Sequence, residues 1–359
     1  MKRLLALVLC LPLLAAAKKP APPAPAEFKF AISGDSRNCG DVVMPAIAAD
    51  AREQGVAFYW HLGDLRWGSK IDEDILNAKD RQPPSLEQYQ RETAWQDFQQ
   101  HQLRAWGDTP VFLGIGNHEL YGGNTRADFL AAFRPYVNQP AVEALRRNEE
   151  PETREPRTYF HWIERGLDLI YLDNASRDQF DAAQMAWFEG VLQRAAANPE
   201  VKAVVVGSHA ALPHSFGRDH AMDDWELGLT SGERVYRMLL EFKQKTGKPV
   251  TVFASHQHFY MPNAFDTPFW KQNGGVLPGY IVGSGGAHRY ALPPDAPSGS
   301  KTDVYGYLLV TAEASGALEL EYREVKEGDV PPEVAARYAP AFVHWCFAGN
   351  SDSAAKKKK

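Results

Sequence analysis

The tetrapeptide Gly116-Asn117-His118-Glu119 follows directly on the apolar run PVFLGI at residues 110–115. A short apolar run that ends abruptly in polar side chains is typical of a buried strand that leads into a loop. The amide of Asn117, the imidazole of His118 and the carboxylate of Glu119 are adjacent in sequence, which is typical of a functional site. Asn117 in a turn, His118 on the surface and Glu119 as a helix cap would explain the same sequence. The tetrapeptide alone therefore does not show whether a functional site is present.

Four other apolar runs end in the same way. They lead into Gly34-Asp35 after residues 28–33, Gly63-Asp64 after residues 56–62, Ser208-His209 after residues 203–207, and Ser255-His256-Gln257-His258 after residues 249–254. In an open α/β sheet, ligands gather outside the carboxyl ends of the strands. The recurrence therefore predicts one crevice where the potential metal ligands meet. These ligands are Asp35, Asp64, Asn117, His209, His256 and His258.

The composition is that of an ordinary globular protein. Of 359 residues, 44% are hydrophobic and 23% are charged, which allows a sizeable core. The formal net charge of -6 provides no positive field that would attract nucleic acid, so no nucleic-acid partner is indicated. Because no shift in composition divides residues 28–325, we expect them to form one domain.

Residues 1–17 predict a signal peptide of the bacterial type. Lys2-Arg3 provide a basic start, residues 4–14 are apolar, and Ala15-Ala16-Ala17 form a small-residue cleavage site. The apolar part is too short for a permanent membrane span. We therefore expect a periplasmic or secreted protein with no integral membrane segment after processing. Residues 18–27, which are rich in proline and alanine, predict an extended linker.

Two cysteines follow the signal peptide, Cys39 and Cys346. In an oxidising compartment, a disulfide between them would tie the C-terminal segment to the first loop. A bridge and two free thiols are equally compatible with the sequence. We expect residues 326–359 to form a C-terminal extension that ends in a disordered basic tail at residues 356–359.

The order of elements near the start predicts a parallel pair of strands. Apolar residues at helical spacing over residues 42–54 separate the first two strands, and such a unit joins parallel strands by a right-handed crossover. The polar stretch at residues 66–84 directly follows Asp64, and a substrate rim and a solvated surface excursion explain it equally well. Residues 135–157 predict a charged insertion.

The residue types at the strand ends favour divalent metals. Carboxylate, amide and imidazole ligands, with no thiolate cluster, suit Mn, Fe, Zn or Mg. Two such ions can share a bridging carboxylate and make a water molecule nucleophilic at neutral pH. Phosphate esters are the natural substrates, because their hydrolysis depends on positioning and on neutralising charge. We therefore expect two divalent ions and a small-molecule phosphate ester.

In this order, the five blocks resemble those of the calcineurin-like metallophosphoesterases over residues 28–290. The resemblance implies an α/β fold, a metallophosphoesterase sandwich of two mixed β-sheets flanked by helices. It implies that residues 28–325 form a catalytic domain that hydrolyses phosphate esters with a metal-activated water. Between the two ester classes, we favour phosphomonoesters slightly over phosphodiesters.

The resemblance also implies a role for each site residue. The ligands divide into two sets that share the bridging Asp64: Asp35 and His258 on the first ion, and Asn117, His209 and His256 on the second. His118 would be the general acid that protonates the leaving oxygen, since an imidazole with a pKa near 6.5 suits that task at neutral pH. Glu119 would orient a neighbouring ligand.

Two positions depart from the family pattern. The first block usually reads Asp-x-His, but residues 35–37 are Asp-Ser-Arg, so a ligand of the first ion is missing and that ion should bind more weakly. Purple acid phosphatases, a branch of the superfamily, have a tyrosine where this chain has Trp67, so a purple iron-tyrosinate site is not expected. Arg37 would contact the phosphate or form a surface ion pair. Asn117 and His214 are further candidates for substrate contact.

Two rival interpretations remain. Residues 34–36 also resemble the nucleophile block of the GDSL esterases, in which Ser36 would attack an acyl ester with the help of a histidine. That family's Asp-x-x-His block is absent, because no histidine in the chain has an aspartate three residues before it. The second rival is a non-catalytic metal- or glycan-binding module on the same fold, which the missing ligand at position 37 would suit.

Overall fold

The computed structural model describes residues 27–176, 179–217 and 220–357. The predicted signal peptide at residues 1–17 and almost all of the predicted linker lie outside these residues. The strands are β1 Phe28–Ser33, β2 Tyr59–His61, β3 Val111–Leu113, β4 Phe160–Glu164, β5 Leu167–Leu172, β6 Ala203–Ser208, β7 Val250–Ala254, β8 Tyr260–Met261, β9 Gly279–Val282, β10 Tyr305–Ala312 and β11 Leu318–Val325.

The helices are α1 Gly40–Glu53, α2 Glu73–Asn77, α3 Leu86–Gln88, α4 Ala94–His101, α5 Arg126–Val137, α6 Pro140–Glu149, α7 Ala182–Ala197, α8 Glu226–Thr246, α9 Pro268–Gln272, α10 Pro332–Ala335, α11 Pro340–Ala348 and α12 Asp352–Lys357. Ser85 and Gln88 form a capping box at the start of α3. In the part of the chain that the structure describes, no helix combines the length and the apolar character needed to cross a bilayer.

The strands form two mixed sheets flanked by helices, which confirms the predicted architecture. The first sheet has the order β11-β10-β1-β2-β3 and the second has the order β4-β5-β6-β7-β9-β8. The predicted parallel pairing of β1 with β2 is confirmed, and β2 is also parallel to β3. In the second sheet β6 is parallel to β7. The carboxyl ends of these five strands carry the polar blocks found in the sequence.

Aromatic side chains fill the space between the two sheets. Trp162 of β4 stacks on Phe112 of β3 with ring centroids 3.9 Å apart, and it meets Trp60 of β2 edge to face at 5.2 Å. All three residues are buried. Each such residue removes a large apolar area from water, so this layer holds the two sheets, and the strand ends that they carry, in a fixed relation.

Helices cover the outer surfaces of both sheets. Helix α1 lies over the first sheet, with residues such as Val43 and Ile47 fully buried. Helices α7 and α8 bury their apolar faces against β6 and β7 of the second sheet. This explains why the β6 and β7 sequences are apolar at every position rather than alternating, since both faces of these strands are covered.

The polar stretch at residues 66–84 is anchored by a buried charge network, although residues such as Leu76 and Asp80 are exposed. The Arg66 side chain is only 1% exposed, and its guanidinium bonds the carboxylates of Asp41 on α1, Asp74 on α2 and Asp97 on α4. Arg81 joins the same network through Asp41 and Asp97. A buried arginine needs several carboxylate partners, so this network fixes the segment against α1 rather than leaving it in solvent.

The C-terminal segment packs onto the body of the protein. Cys39 and Cys346 form a disulfide with Cα atoms 5.9 Å apart, which selects the bridge over the two free thiols. Phe342 and Val343 of α11 belong to the same buried cluster as β1. The expectation of a disordered tail at residues 356–359 was wrong for its first residues, because α12 continues to Lys357. The insertion at residues 135–157 likewise contains a helix, α6.

Candidate metal centre

Three of the predicted ligands sit in a backbone conformation that is unusual for residues other than glycine. Asp35, Asp64 and His256 have positive φ angles of 58°, 59° and 68°. Each follows a site strand and turns the chain sharply at the strand's end. Such residues cost free energy and persist only where the surroundings hold them. Here the Asp35 backbone N–H donates to Gly63, and the His256 N–H donates to Asp35 Oδ2 at 2.7 Å.

The tetrapeptide after β3 fixes Asp64 in place. Glu119 accepts hydrogen bonds from the backbone N–H groups of Asp64, Leu65 and Gly116 at 2.9, 2.8 and 2.7 Å. The His118 N–H donates to Asp64 Oδ1 at 3.0 Å. Gly116 lies so close that a Cβ atom there would stand 2.3 Å from Asp64 Oδ1. Glu119 therefore joins two strand ends, which is the orienting role that the resemblance implied.

The structure brings all six predicted metal ligands together. Ligand atoms of Asp35, Asp64, His209 and His256 lie within 4.8 Å of one another. The two remaining ligands extend this group at its edges: Asn117 Oδ1 lies 3.1 Å from His209 Nε2, and His258 Nε2 lies 3.2 Å from Asp35 Oδ1. They come from five separate strand ends, so the fold, and not local sequence, makes the cluster.

Hydrogen bonds outside the cluster orient two of the histidines. His209 Nδ1 faces the Leu62 carbonyl oxygen at 3.0 Å and Ser255 Oγ at 3.1 Å. His258 Nδ1 faces the His288 carbonyl oxygen at 2.6 Å. A carbonyl oxygen only accepts, so Nδ1 carries a proton in each ring, and a neutral ring directs the lone pair of Nε2 at the cluster. Burial opposes the charge of His209, but the neighbouring Asp64 raises its pKa to about 10.

The donor set fits a divalent cation. Among the described residues, Asp35 Oδ1 and Asp64 Oδ2 are fully buried and have no hydrogen-bond partner. Burial opposes the charge of the Asp64 carboxylate, but His118, His209 and Arg37 hold its pKa well below the ordinary value. Two buried, ionised and unsatisfied carboxylate oxygens, surrounded by imidazole nitrogens, are what a borderline or hard divalent ion requires.

Arg37 is buried and does not form the surface ion pair that its sequence position also allowed. Its side chain is 8% exposed, with Nε 3.7 Å from Asp64 Oδ2. Its Nη2 donates to His258 Nε2 at 3.0 Å. The guanidinium also lies over the ring of Trp67, with Cζ 5.6 Å from the centroid. Arg37 therefore stands inside the cluster, between two of the predicted ligands.

His118 lies beside Asp64 at the edge of the cluster. Its Nδ1 is hydrogen-bonded to the Trp67 carbonyl oxygen, and its Nε2 is 3.6 Å from Asp64 Oδ2. Tyr121 meets the imidazole edge to face at 4.6 Å. Burial lowers the pKa of His118 to about 4, although the charge of Asp64 opposes this effect.

A cleft of about 680 Å³ opens next to the cluster. Its lining residues come from several loops: Asn117, Leu120, Tyr121, Ala175, Ser176, Gln179, His220, Asp224, Trp225 and His256. The ring of His220 meets His256 edge to face at 5.3 Å and stacks on Tyr290. Of the lining residues, the sequence analysis singled out only Asn117 and His256.

Two other predicted residues are placed away from the cleft. His214 stacks on Phe269 with centroids 3.5 Å apart, and its Nε2 bonds Glu233 at 2.8 Å. Ser36 is fully buried and lies 3.0 Å from Nε2 of His61. His61 Nδ1 accepts the Gly63 N–H, so Nε2 carries the proton and donates it to Ser36. His61 therefore cannot act as the base that a serine nucleophile needs.

The sequence profile of the calcineurin-like phosphoesterases matches residues 29–260, well over half of the chain. The chain belongs to the calcineurin-like phosphoesterase family. The matched region contains every predicted metal ligand, from Asp35 to His258. No curated protein is significantly similar to the chain in sequence.

Three solved structures share the fold of this chain at low sequence identity. A purple acid phosphatase, PPD1 from yellow lupin (Lupinus luteus) seeds, superposes with a TM-score of 0.56 at 17% identity, over 87% of this chain and 54% of its own. PhoD superposes with a TM-score of 0.55 at 18% identity, over 95% of this chain and 80% of its own. GAP50, the anchor in the inner membrane complex of Plasmodium, superposes with a TM-score of 0.51 at 12% identity, over 85% of this chain and 87% of its own. This chain thus spans about half the length of the lupin enzyme.

Proposed function

We propose that this member of the calcineurin-like phosphoesterases is a metal-dependent hydrolase of small phosphate esters. The observation that carries the proposal is the convergence of Asp35, Asp64, His209 and His256 within 4.8 Å, with carboxylate oxygens buried and unsatisfied. Asp64, Asn117, His209 and His256 would hold a divalent ion. The resemblance implies a second ion at Asp35 and His258, and such an ion would compete with the neighbouring Arg37.

A divalent ion in this place would supply a nucleophilic water at neutral pH and would offset the negative charge of the phosphate oxygens. The side chains of the protein would do the rest. Asn117 lines both the cluster and the cleft, so an ester that enters the cleft meets its amide. Arg37 presents a forked, permanently charged donor group that matches phosphate oxygens.

His118 would act as the proton donor to the leaving oxygen. Its Nδ1 is anchored on the Trp67 carbonyl oxygen, which leaves Nε2 directed toward Asp64 and the cluster. The negative charge of a bound phosphate ester would act on the imidazole in the same direction as Asp64. Substrate binding would thus favour the protonated ring, which can release its proton when the ester bond breaks.

We further propose that the substrates are monoesters and that the protein is exported. A monoester carries more negative charge than a diester, and that charge suits a site that already places a guanidinium beside the metal ligands. Export is supported by the pattern of residues 1–17 and agrees with the disulfide between Cys39 and Cys346, because such bonds persist in oxidising compartments.

The alternative is a non-catalytic metal- or glycan-binding module. The specific observation in its favour is Arg37, which stands where the family usually has a metal ligand. The serine esterase has no comparable support, because Ser36 is buried and its neighbour His61 is held in the wrong tautomer.

The test compares two monoesters with leaving groups of different basicity, p-nitrophenyl phosphate and glycerol phosphate, in wild type and His118→Ala. Loss of the general acid should lower kcat for glycerol phosphate by about 10²–10⁴-fold. The loss for p-nitrophenyl phosphate should be much smaller, since p-nitrophenolate leaves without a proton. His344→Ala, at an exposed position, is the control.

Equal losses on both monoesters would remove His118 from the role of general acid. Hydrolysis of bis(p-nitrophenyl) phosphate in preference to both monoesters would overturn the proposed substrate class. If folded, metal-loaded protein turned over none of these esters, the non-catalytic module would replace the enzyme.

A further inference from the structure

Arg37 occupies the space between two ligands of the first metal set. Its Nη2 donates to His258 Nε2 at 3.0 Å, and its Nε lies 3.7 Å from Asp64 Oδ2. The Arg37 Nε is itself buried and has no hydrogen-bond partner among the described residues. A guanidinium has only donors and remains charged at any pH in the working range of a protein. A fixed positive charge therefore already lies where a cation would face these ligands.

The tautomer of His258 determines which of its nitrogens could bind a metal ion. Its Nδ1 lies 2.6 Å from the His288 carbonyl oxygen, so Nδ1 carries the proton and Nε2 carries the lone pair. The lone pair accepts the hydrogen bond from Arg37. One lone pair cannot accept that hydrogen bond and bind a metal ion at the same time. As long as Arg37 stays in place, His258 is not free to be a metal ligand.

The residues on the other side of the cluster remain sufficient for one ion. The four mutually close ligand atoms belong to Asp35, Asp64, His209 and His256, and this group does not include His258. Asn117 Oδ1, 3.1 Å from His209 Nε2, provides a fifth donor. A single divalent ion and one guanidinium would together offset the two carboxylates, whereas a second ion would be repelled by the buried arginine.

The geometry points to a centre with one metal ion, in which the Arg37 guanidinium takes the place of the ion that Asp64 and His258 would otherwise share. Trp67 supports this arrangement, because its ring lies against Arg37 and an indole provides no metal ligand. The inference deepens the metal-dependent function proposed above and rests on it for the identity of the site.

Metal content tests the inference without reference to turnover. Metal-stripped protein is loaded with Mn²⁺ and desalted, and bound manganese per chain is measured by mass spectrometry of the element. Wild type should retain about one ion per chain, and Arg37→His, which replaces the cation by a ligand, should retain about two. Electron paramagnetic resonance should show an isolated Mn²⁺ in wild type and an exchange-coupled pair in Arg37→His.

Two further variants keep the result interpretable. Arg234→His adds a histidine on the exposed surface of α8, where Arg234 is 62% exposed, and should leave the stoichiometry at one. Arg37→Gln removes the charge with a smaller change in shape, and it should also admit a second ion if Arg37→His does not fold, as checked by circular dichroism.

Two ions in wild type would overturn the inference, and so would one ion in both folded Arg37 variants. Wild type that binds no manganese would overturn it as well. If wild type bound one ion and Arg37→His bound two, but neither hydrolysed any phosphate ester, the inference would stand while the proposed enzymatic function failed.

Discussion

Breaking the disulfide between Cys39 and Cys346 should strongly lower the free energy of unfolding. The bond joins residues that are 307 apart in sequence, from the loop after β1 to α11. In the chain-entropy description, a cross-link that closes a loop of this length stabilises the fold by about 5–6 kcal/mol, and native disulfides typically contribute about 2–5 kcal/mol. Because the loop also carries Asp35 and Arg37, its release should loosen one side of the metal centre.

Equilibrium unfolding in guanidinium chloride, with and without reductant, measures this contribution. The free energy of unfolding of oxidised wild type should exceed that of reduced wild type by at least about 2 kcal/mol. The transition slope should be lower in the oxidised protein, because the cross-link keeps its unfolded chain more compact. A variant with serine at both positions should match the reduced wild type and should not respond to reductant. A difference below about 1 kcal/mol between oxidised and reduced wild type would refute the reasoning. So would a response to reductant in the serine variant.

Three further predictions concern buried polar groups. In Glu119→Gln, an amide replaces an acceptor of three backbone N–H groups, so at least one of these N–H groups loses its partner and the free energy of unfolding should fall by about 1–3 kcal/mol. His161 is buried, which opposes its charge, but Asp168 and Glu149 raise its pKa to about 9. A raised pKa stabilises the fold below the unfolded value of about 6.5, by roughly 3 kcal/mol, and this stability is lost as the pH rises through about 9. His161→Gln should lack that loss. Ser36→Ala should keep a kcat close to that of wild type on phosphate esters, because Ser36 is buried and has no base.

Each of these predictions has a clear contrary result. Glu143→Gln, which changes a partly exposed side chain on α6, is the control for Glu119→Gln. If both changes lowered the free energy of unfolding equally, the orienting role of Glu119 would be contradicted. Parallel stability curves for wild type and His161→Gln between pH 6 and pH 10 would show that His161 is not charged in the folded protein. Abolished turnover in folded Ser36→Ala would restore the serine esterase.

The convergence of the predicted ligands could be expected from sequence because each belongs to a polar block that follows an apolar run. A run such as residues 203–207 is apolar at every position because helices cover one face and the other sheet covers the second. The carboxyl ends of parallel neighbours then meet at one edge of the sheet. The polar residue that follows each run is therefore at the site, whatever lies between the runs in sequence.

The position of Arg37 could not be settled in this way. An arginine two residues after the predicted ligand Asp35 fits a surface ion pair as well as a buried contact. Its burial depends on His258 and Asp64, which approach it from the ends of two different strands. Only the folded chain shows that the guanidinium lies between them.

The cleft was missed for a related reason. Tyr121 and Trp225 lie in irregular segments, and nothing in their sequence spacing distinguishes an exposed aromatic side chain at a cleft from one elsewhere on the surface. For the stretch at residues 66–84, the sequence alone does not decide between a substrate rim and a solvated surface excursion. Its charges alone could not show that Arg66 is buried, because the three carboxylates that surround Arg66 come from three different helices.

The most direct test of the central claim is the rate of p-nitrophenyl phosphate hydrolysis by metal-stripped protein before and after titration with Mn²⁺. We predict turnover that appears only with the metal and that is abolished in Asp64→Asn. Asp266→Asn, at an exposed ion pair with Lys271, should behave as wild type. Hydrolysis that persists without metal, or that survives in Asp64→Asn, would contradict a metal-dependent phosphoesterase built around Asp64.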